Sequence, residues 1–181
     1  MDRKEFIKTS GLVVGFTMFP LMTRCQTNDN EVFASNEAIP KIVTDDQGSV
    51  FNVIGDIQTH KLVGSDTGNQ IMEWVSNVDP GIGIPPHIHT KEDEIFRVIE
   101  GQVEIMVDGE TTVLNKGDIA FAPKGKPHSW KVVGTEKAKM ITSAFPAGIE
   151  SMFEELAALP EGPPDFEKVT GICAKYGISF V

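Results

Sequence analysis

Cysteine is scarce in this chain, which has only Cys25 and Cys173 among its 181 residues. The two cysteines lie far apart in the sequence and in segments of different character. This count therefore predicts neither a disulfide framework nor a cysteine-rich zinc site.

Positive charge is also in short supply, with 16 Lys and Arg residues against 26 Asp and Glu residues and a formal net charge of −10. A nucleic-acid-binding protein needs a cationic face to neutralise phosphates, so this balance disfavours a nucleic-acid partner. It gives no reason to expect binding to anionic lipid either. The acidic excess by itself favours solubility.

A long apolar run is missing from the start of the chain. The mostly apolar stretch at 11–22 is too short to span a hydrocarbon core of about 30 Å as a helix. Arg3, Lys4 and Lys8 precede it, and a positive segment followed by an apolar run is the pattern of an export signal. We therefore predict that residues 1–25 are an export signal segment and that the protein is periplasmic.

The stretch RKEFIK at 3–8 resembles the twin-arginine signal, with Lys4 in place of the second arginine, and general secretion is the alternative. Cys25 is a candidate for lipid attachment that would anchor the protein to the cell envelope, although Arg24 precedes it where a small residue is usual. Cleavage after Ala34 is the other interpretation. Residues 26–44 are polar and are predicted to be a linker.

Turn-forming residues, in contrast, are abundant, with 17 Gly and 11 Pro. Between residues 45 and 146 they separate short segments rich in Val, Ile, Phe and Thr, and the Asp108-Gly109 pair is a strong hairpin signal. With no helical stretch between them, these strands predict an all-β domain, an antiparallel sandwich or barrel. The predicted strands include 50–54, 70–77, 94–100, 102–107, 111–114, 119–122, 129–133 and 138–144.

The last part of the chain, 147–181, changes to helical periodicity. Apolar residues from Ile149 to Leu159 recur at helical spacing before Pro160, and a second helix is predicted from Asp165 or Phe166 to about Tyr176. We expect this C-terminal helical extension to pack against the barrel wall or a partner subunit.

A candidate metal site lies in the stretch GIGIPPHIHTKEDEIFRVIEG. His87 and His89 are two residues apart, which on a strand places both imidazoles on one face. A polar turn follows, and Glu94 then begins an interior-facing strand. A lone buried carboxylate is costly, and a cation shared with the histidines would compensate it. The alternative is a polar hairpin with exposed histidines.

His128 is the third candidate histidine, at the start of a later strand. Three histidines and a glutamate suit Mn, Fe, Co, Ni, Cu or Zn better than Ca or Mg, so we predict one divalent transition metal per chain. Phe96, Trp130 and Phe121 are candidates for an apolar substrate pocket, although each also suits the core. His60, by contrast, lies outside this pattern and is interpreted as a surface residue. The four predicted metal ligands are His87, His89, Glu94 and His128.

Two stretches resemble the motifs of the cupin superfamily. Gly81-(X)₅-His87-X-His89-(X)₄-Glu94-(X)₆-Gly101 matches the first motif, and Gly117-(X)₅-Pro123-X-Gly125-(X)₂-His128 matches the second, whose final Asn is replaced by Val132. The resemblance covers roughly residues 45–181, and its tail is similar to that of single-domain bacterial cupins related to quercetin 2,3-dioxygenases. It implies a double-stranded β-helix, the cupin jelly-roll barrel, with two short C-terminal helices.

The resemblance also implies a function. It suggests a metal-dependent dioxygenase acting on a small enol or flavonol-type compound, in which Glu94 both binds the metal and accepts the substrate's hydroxyl proton. A non-catalytic small-molecule-binding cupin and a metal-dependent isomerase are the alternatives, since one fold hosts many chemistries. The implied partners are a small-molecule substrate, dioxygen and a second copy of the chain in a homodimer.

Overall fold

The computed structural model describes residues 37–160 and 162–181. The predicted export signal, Cys25 and most of the predicted linker lie outside these residues, so those expectations stay predictions. Among the described residues, no helix combines the length and the apolar character needed to cross a membrane.

The described chain forms two antiparallel sheets whose inner faces pack together. The six-stranded sheet has the spatial order β1-β2-β3-β10-β5-β8, and the five-stranded sheet has the order β11-β4-β9-β6-β7. The strands of the first sheet are β1 Ser49–Val53, β2 Asp56–Leu62, β3 Met72–Val78, β5 Asp93–Glu100, β8 Ile119–Ala122 and β10 Ala138–Phe145. Those of the second are β4 Gly83–His89, β6 Gln102–Val107, β7 Glu110–Leu114, β9 His128–Val133 and β11 Ile178–Phe180.

Alternation along the strands positions the core. On β5, Glu94, Phe96 and Val98 are buried, while their neighbours are partly or fully exposed. Phe96 and Val98 pack against residues of the other sheet, including Ile105 and Trp130. This two-residue period is what a half-buried strand requires, and it confirms the predicted all-β jelly-roll class.

Within the described part of the chain, three helices accompany the sheets, namely α1 Gly64–Thr67, α2 Glu150–Ala157 and α3 Phe166–Lys175. The two C-terminal helices occur where helical spacing predicted them. Helix α2 buries Met152, Phe153 and Leu156 and α3 buries Val169 and Cys173, all in one cluster that includes Trp74 of the six-stranded sheet. Together these helices cover one part of the barrel interior.

The C-terminal extension is not wholly helical, which differs from the expectation for residues 147–181. After α3 the chain enters β11, which pairs antiparallel with β4, so that Ile178 lies opposite His89 and Phe180 opposite His87. The last residues of the chain therefore border the strand that carries two of the predicted metal ligands.

Strand β2 was absent from the predicted strands, and its burial explains why. The inward positions of β2 hold Asp56, Gln58 and His60, and the outward positions hold Ile57 and Thr59. Because polar side chains occupy the inner face, the usual hydrophobic signal of a strand is inverted. The interpretation of His60 as a surface residue is wrong, since only 4% of it is exposed and its ring packs against Phe51 and Phe153.

Candidate metal centre

The four predicted ligands converge inside the barrel. One ligand atom from each of His87, His89, Glu94 and His128 lies within 4.8 Å of the others, and all four residues are buried. The three histidines belong to β4 and β9 of the five-stranded sheet, whereas Glu94 belongs to β5 of the six-stranded sheet. The cluster therefore forms only when the two sheets close on each other.

The local sequence of β4 explains how its histidines reach this position. The pairing of β4 with β9 shifts register between Ile84 and His87, at the two prolines, which have no backbone N–H for the ladder. Beyond this irregularity His87 pairs directly with His128. The centroids of these two imidazole rings are 4.3 Å apart, and the His89 ring lies 5.1 Å from His87 and 5.2 Å from His128.

Each histidine is held by a contact at its Nδ1 atom. Nδ1 of His87 lies 2.9 Å from the carbonyl oxygen of Pro85, and Nδ1 of His128 lies 3.2 Å from that of Lys126. Nδ1 of His89 lies 3.3 Å from Oε2 of Glu92. Because these oxygens accept, each Nδ1 is the donor, and Nε2 of a neutral ring is left with a lone pair. This is the arrangement typical of metal-binding histidines.

Glu94 provides the negative charge of the cluster. Its Oε2 atom lies 2.9 Å from Nε2 of His128 and 3.8 Å from Nε2 of His89. Burial by itself would raise the pKa of Glu94, but the contact with Nε2 of His128 and the positive charge that the histidines carry when protonated lower it below its usual value. The cluster therefore holds an ionised carboxylate away from water.

The pKa values of His87 and His89 are shifted in opposite directions by their surroundings. Burial, reinforced by the neighbouring His128, lowers the pKa of His87 to about 4, so this ring is neutral near pH 7. Burial also acts to lower the pKa of His89, but its hydrogen bond with Glu92 and the charges of Glu94 and Glu92 raise it overall. A neutral His87 is ready to bind a metal, and the Glu92 contact makes His89 a stronger base.

The donor atoms of these four residues are chemically suited to bind a metal ion. Both nitrogens of His128 face oxygen atoms, but a neutral imidazole has one N–H and can donate only from Nδ1 to Lys126. The Nε2 lone pair and the Glu94 carboxylate would then repel each other unless a cation, either a proton or a metal, lies between them. Nitrogen and carboxylate donors in this number suit a divalent transition metal better than Ca or Mg.

The cluster opens onto a cavity of about 80 Å³. Phe96 and Trp130, both predicted pocket residues, line it, and so do residues of α2 and α3. The assignment of Phe121 to the pocket is wrong. This side chain is 52% exposed and its ring stacks on that of Phe145, because the inward residue of this part of β8 is Ala122.

Part of the cavity wall was missed by sequence reasoning. It includes polar residues of β2, β3 and β10, and side chains from the C-terminal extension such as Cys173 and Phe180. The signal for the polar part was present in β2, where polar residues recur with a period of two. The missed polar residues of the wall are Asp56, Gln58, Ser76 and Thr142.

A jelly-roll of two antiparallel sheets that encloses three histidines and one glutamate defines a class of metal-binding β-barrel proteins. The family model described as the cupin domain matches residues 74–144, which contain all four ligands. This chain belongs to the cupin superfamily.

Two relatives resemble this chain in sequence, and one solved structure resembles it in fold. Quercetin 2,3-dioxygenase of Bacillus subtilis is 29% identical over 127 residues, which are 69% of this chain but 37% of that protein. An uncharacterized protein of Aquifex aeolicus is 30% identical over 107 residues, covering 59% of this chain and 79% of that protein. An RmlC-like cupin of Shewanella frigidimarina superposes with a TM-score of 0.53 at 21% identity, covering 60% of this chain and 92% of that one.

Proposed function

We propose that this cupin is a metal-dependent dioxygenase that acts on a small enol-type compound. The observation that carries the proposal is the buried cluster of His87, His89, Glu94 and His128 at the wall of a largely apolar cavity. The similarity to quercetin 2,3-dioxygenase supports the choice of reaction class, although this chain spans only 37% of that protein's length.

The four ligand residues would hold the metal between the sheets. When bound, the metal supplies Lewis-acid polarisation of a substrate oxygen and, if it is redox-active, electron exchange with dioxygen. The ionised Glu94 provides a base beside it, and its Oε2 atom would accept the hydroxyl proton of an enol. Phe96 and Trp130 would pack against the carbon skeleton and exclude water from the reacting atoms.

The size of the cavity restricts the substrate. At about 80 Å³ it has room for several water molecules, and it is smaller than the roughly 300–1,000 Å³ of sites for drug-sized ligands. A small enol therefore suits this cavity better than a three-ring flavonol.

The test begins with elemental analysis of the purified protein, followed by oxygen-uptake assays with small enols and enediols. We expect near-stoichiometric Mn, Fe, Co, Ni or Cu, and substrate-dependent oxygen uptake. Replacing Glu94 with Gln should lower turnover by at least about a hundredfold, in the range of general-base effects. The variant's metal content must be measured in parallel, because Glu94 is also a ligand.

Glu104→Gln is a suitable control for that substitution, since Glu104 is an exposed residue of β6 that does not line the cavity. Its turnover should match that of the wild type. Unchanged turnover in Glu94→Gln with full metal occupancy would exclude Glu94 as the base. Absence of any metal would count against the whole proposal.

A non-catalytic binding protein is the second candidate function. It is favoured by the donor set itself, which suits redox-inactive zinc as well as the redox-active metals. Zinc in the purified protein, together with ligands that are bound and recovered unchanged, would establish this alternative.

Export to the periplasm, predicted from residues 1–25, is part of the proposal. Cell fractionation would test it directly, and membrane association that disappears in Cys25→Ser would identify a lipid anchor. Recovery of the uncleaved chain in the cytoplasm would count against export.

A further inference from the structure

The inner face of the six-stranded sheet carries a second polar group besides the metal centre. Asp56, Gln58, Ser76 and Thr142 line the same cavity, and none of them is more than 3% exposed. Polar side chains are rarely buried this deeply unless hydrogen bonds satisfy them. We name these four residues the polar wall.

Hydrogen bonds fix the carboxylate of the polar wall in one orientation. Gln58 Nε2 donates to Asp56 Oδ2 over 2.8 Å, and Ser76 Oγ donates to the same oxygen over 3.1 Å. Gln58 is oriented in turn, because its Oε1 atom lies 3.0 Å from Nε2 of the buried His60. Two side chains thus hold a single carboxylate oxygen in place, and His60 orients one of them.

The other carboxylate oxygen of Asp56, Oδ1, takes no part in these hydrogen bonds. Asp56 Oδ1 and Thr142 Oγ1 are buried and have no hydrogen-bond partner among residues 37–160 and 162–181. Leaving a buried polar atom unpaired costs free energy, so such an atom calls for a partner such as water or a ligand. Burial raises the pKa of Asp56 to about 6, although the hydrogen bonds from Gln58 and Ser76 oppose this rise.

The strand register connects the polar wall to the metal centre. Ala144 of β10 pairs with Glu94 of β5, so Thr142, two residues earlier, is the diagonal neighbour of Glu94. Ser76 of β3 is in turn the diagonal neighbour of Thr142. Diagonal neighbours lie about 7–8 Å apart. Glu94, Thr142 and the Ser76–Asp56 pair therefore follow one another across the inner face of the sheet, along the wall of one cavity.

We propose that the polar wall is a second binding subsite, in which Asp56 Oδ1 accepts a hydrogen bond from a hydroxyl group of the ligand held at the metal centre. Thr142 Oγ1 would bind the same or an adjacent polar group. The preferred ligand is then a small metal-binding hydroxy-ketone with a further hydroxyl several ångströms from the metal-binding oxygens. This inference rests on the proposed binding of a small enol at the metal centre, but not on its oxygenation.

Two hydroxypyranones that differ in one group provide the test. Kojic acid and allomaltol share the same metal-binding hydroxy-ketone, and allomaltol has a methyl group where kojic acid has a hydroxymethyl group. Affinities for the full-length zinc-loaded protein can be measured by calorimetry, which requires no turnover. We expect the wild type to bind kojic acid about tenfold more tightly, as a hydrogen bond to a charged acceptor would give.

Asp56→Asn and Thr142→Val nearly preserve side-chain shape. Because Gln58 and Ser76 donate to the oxygen that Asn retains, the NH₂ group takes the place of the charged Oδ1 acceptor, and Thr142→Val removes the hydroxyl. The ratio of kojic acid affinity to allomaltol affinity should fall to about one in Asp56→Asn and should be reduced in Thr142→Val. Zinc content and allomaltol affinity should be unchanged in both variants. Ser143→Ala is the matched control, because Ser143 neighbours Thr142 on β10 but bonds to Glu73 instead of lining the cavity. It should keep the wild-type preference.

Absence of a preference in the wild type, or an equal preference in Asp56→Asn, would overturn the inference. So would failure of both pyranones to bind the zinc-loaded protein. A preference for kojic acid that depends on Asp56, without any oxygen uptake, would support the subsite and reject the dioxygenase function. Failure of the subsite and failure of the dioxygenase proposal therefore give different results.

Discussion

Single residues decide which atoms of the metal centre are available for binding. Each histidine of the cluster has its Nδ1 atom committed, to Pro85, to Lys126 or to the carboxylate of Glu92. These contacts determine the tautomer and the ring orientation before any metal binds. Glu92 differs from the two carbonyl partners because it brings a buried charge, being only 3% exposed.

Replacing Glu92 with Gln should weaken metal binding by about tenfold. The amide keeps the shape of the side chain but removes the charge that makes His89 more basic, and such outer contacts are worth about 10–100-fold in affinity. Competition with a chromophoric chelator would measure the effect, with Glu104→Gln as the exposed control. Equal affinities in the two variants would show that the Glu92 contact has no role in metal binding.

Asp56 should make the protein less stable as the pH rises. The pKa of its carboxyl is raised from 3.8 to about 6, so the folded state binds the proton more tightly than the unfolded state. The cost of ionising Asp56 is therefore absent below pH 3.8 and complete above pH 6. At ~1.4 kcal/mol for each pH unit between these values, the free energy of unfolding falls by about 3 kcal/mol.

Other groups titrate in the same range. The effect of Asp56 must therefore be measured as the difference in the free energy of unfolding between the wild type and Asp56→Asn. Urea unfolding of both proteins at several pH values between about 3.5 and 7 would provide it. Stability of the wild type relative to the variant should decline as the pH rises. A constant difference would show that the Asp56 carboxyl titrates normally in the folded protein.

At the scale of elements, the C-terminal extension completes the cavity. Helices α2 and α3 supply part of its apolar wall, and β11 borders β4 beside His87 and His89. A short turn at 176–177 connects α3 to β11. Gly177 follows α3 with a φ of +88°, and a Cβ atom at this position would collide with the hydroxyl of Thr90.

Replacing Gly177 with Ala should therefore destabilise the protein by about 1–3 kcal/mol, because of the positive φ and the collision with Thr90. Gly109→Ala is the matched control, since Gly109 has a φ of +89° but its added Cβ meets no atom of residues 37–160 and 162–181 within 4 Å. The difference between the two variants in chemical denaturation isolates the Thr90 collision. Equal losses would mean that the tail moves freely to accommodate it.

The elements that sequence patterns predicted are those with regular alternation or helical spacing. Strands β6 and β8 have the predicted bounds, and α3 begins at Phe166, one of its two predicted starts besides Asp165. Strand β2 was missed because its inner face is polar. Strand β11 was missed because three residues are too few for a periodic signal, and its partner β4 is almost 90 residues away in the sequence.

At the scale of the whole molecule, the metal centre joins the two sheets. Three ligands come from the five-stranded sheet and Glu94 comes from the six-stranded sheet. A metal bound only by the folded state stabilises it through mass action. The cluster should therefore contribute to the stability of the barrel as well as to its chemistry.

Removal of the metal with a chelator should lower the melting temperature. A free metal concentration of about 100 times the Kd corresponds to ~2.7 kcal/mol, or about 5–10 °C for a chain of this size. Calorimetry with and without metal would show the shift, and His128→Ala should show none. A melting temperature that is independent of metal would mean that the ion does not bind preferentially to the folded state.

We propose that the predicted homodimer forms through the edge of the six-stranded sheet. Strand β8 is the last strand of that sheet, and its Ile119 and Phe121 are 51% and 52% exposed. Burial of these side chains against a second copy would cover an open strand edge. Light scattering should give a dimer for the wild type and a monomer for Phe121→Ser.

Val113→Ser, which alters an exposed residue of β7 in the other sheet, is the control and should remain dimeric. A monomeric wild type would reject the predicted dimer. A dimeric Phe121→Ser would place the contact elsewhere on the molecule.

The sequence by itself determined the all-β class through strand alternation and offered the four candidate ligands through residue type and spacing, while its resemblance to the cupin motifs implied the jelly-roll barrel. These signals are local properties of the chain. The tertiary structure decided what lies around that cluster. Strand pairing and helix packing brought Asp56, Thr142 and the C-terminal extension to the same cavity and left Phe121 outside it. Such contacts join segments that are distant in the sequence, and only the closing of the two sheets determines which of them meet.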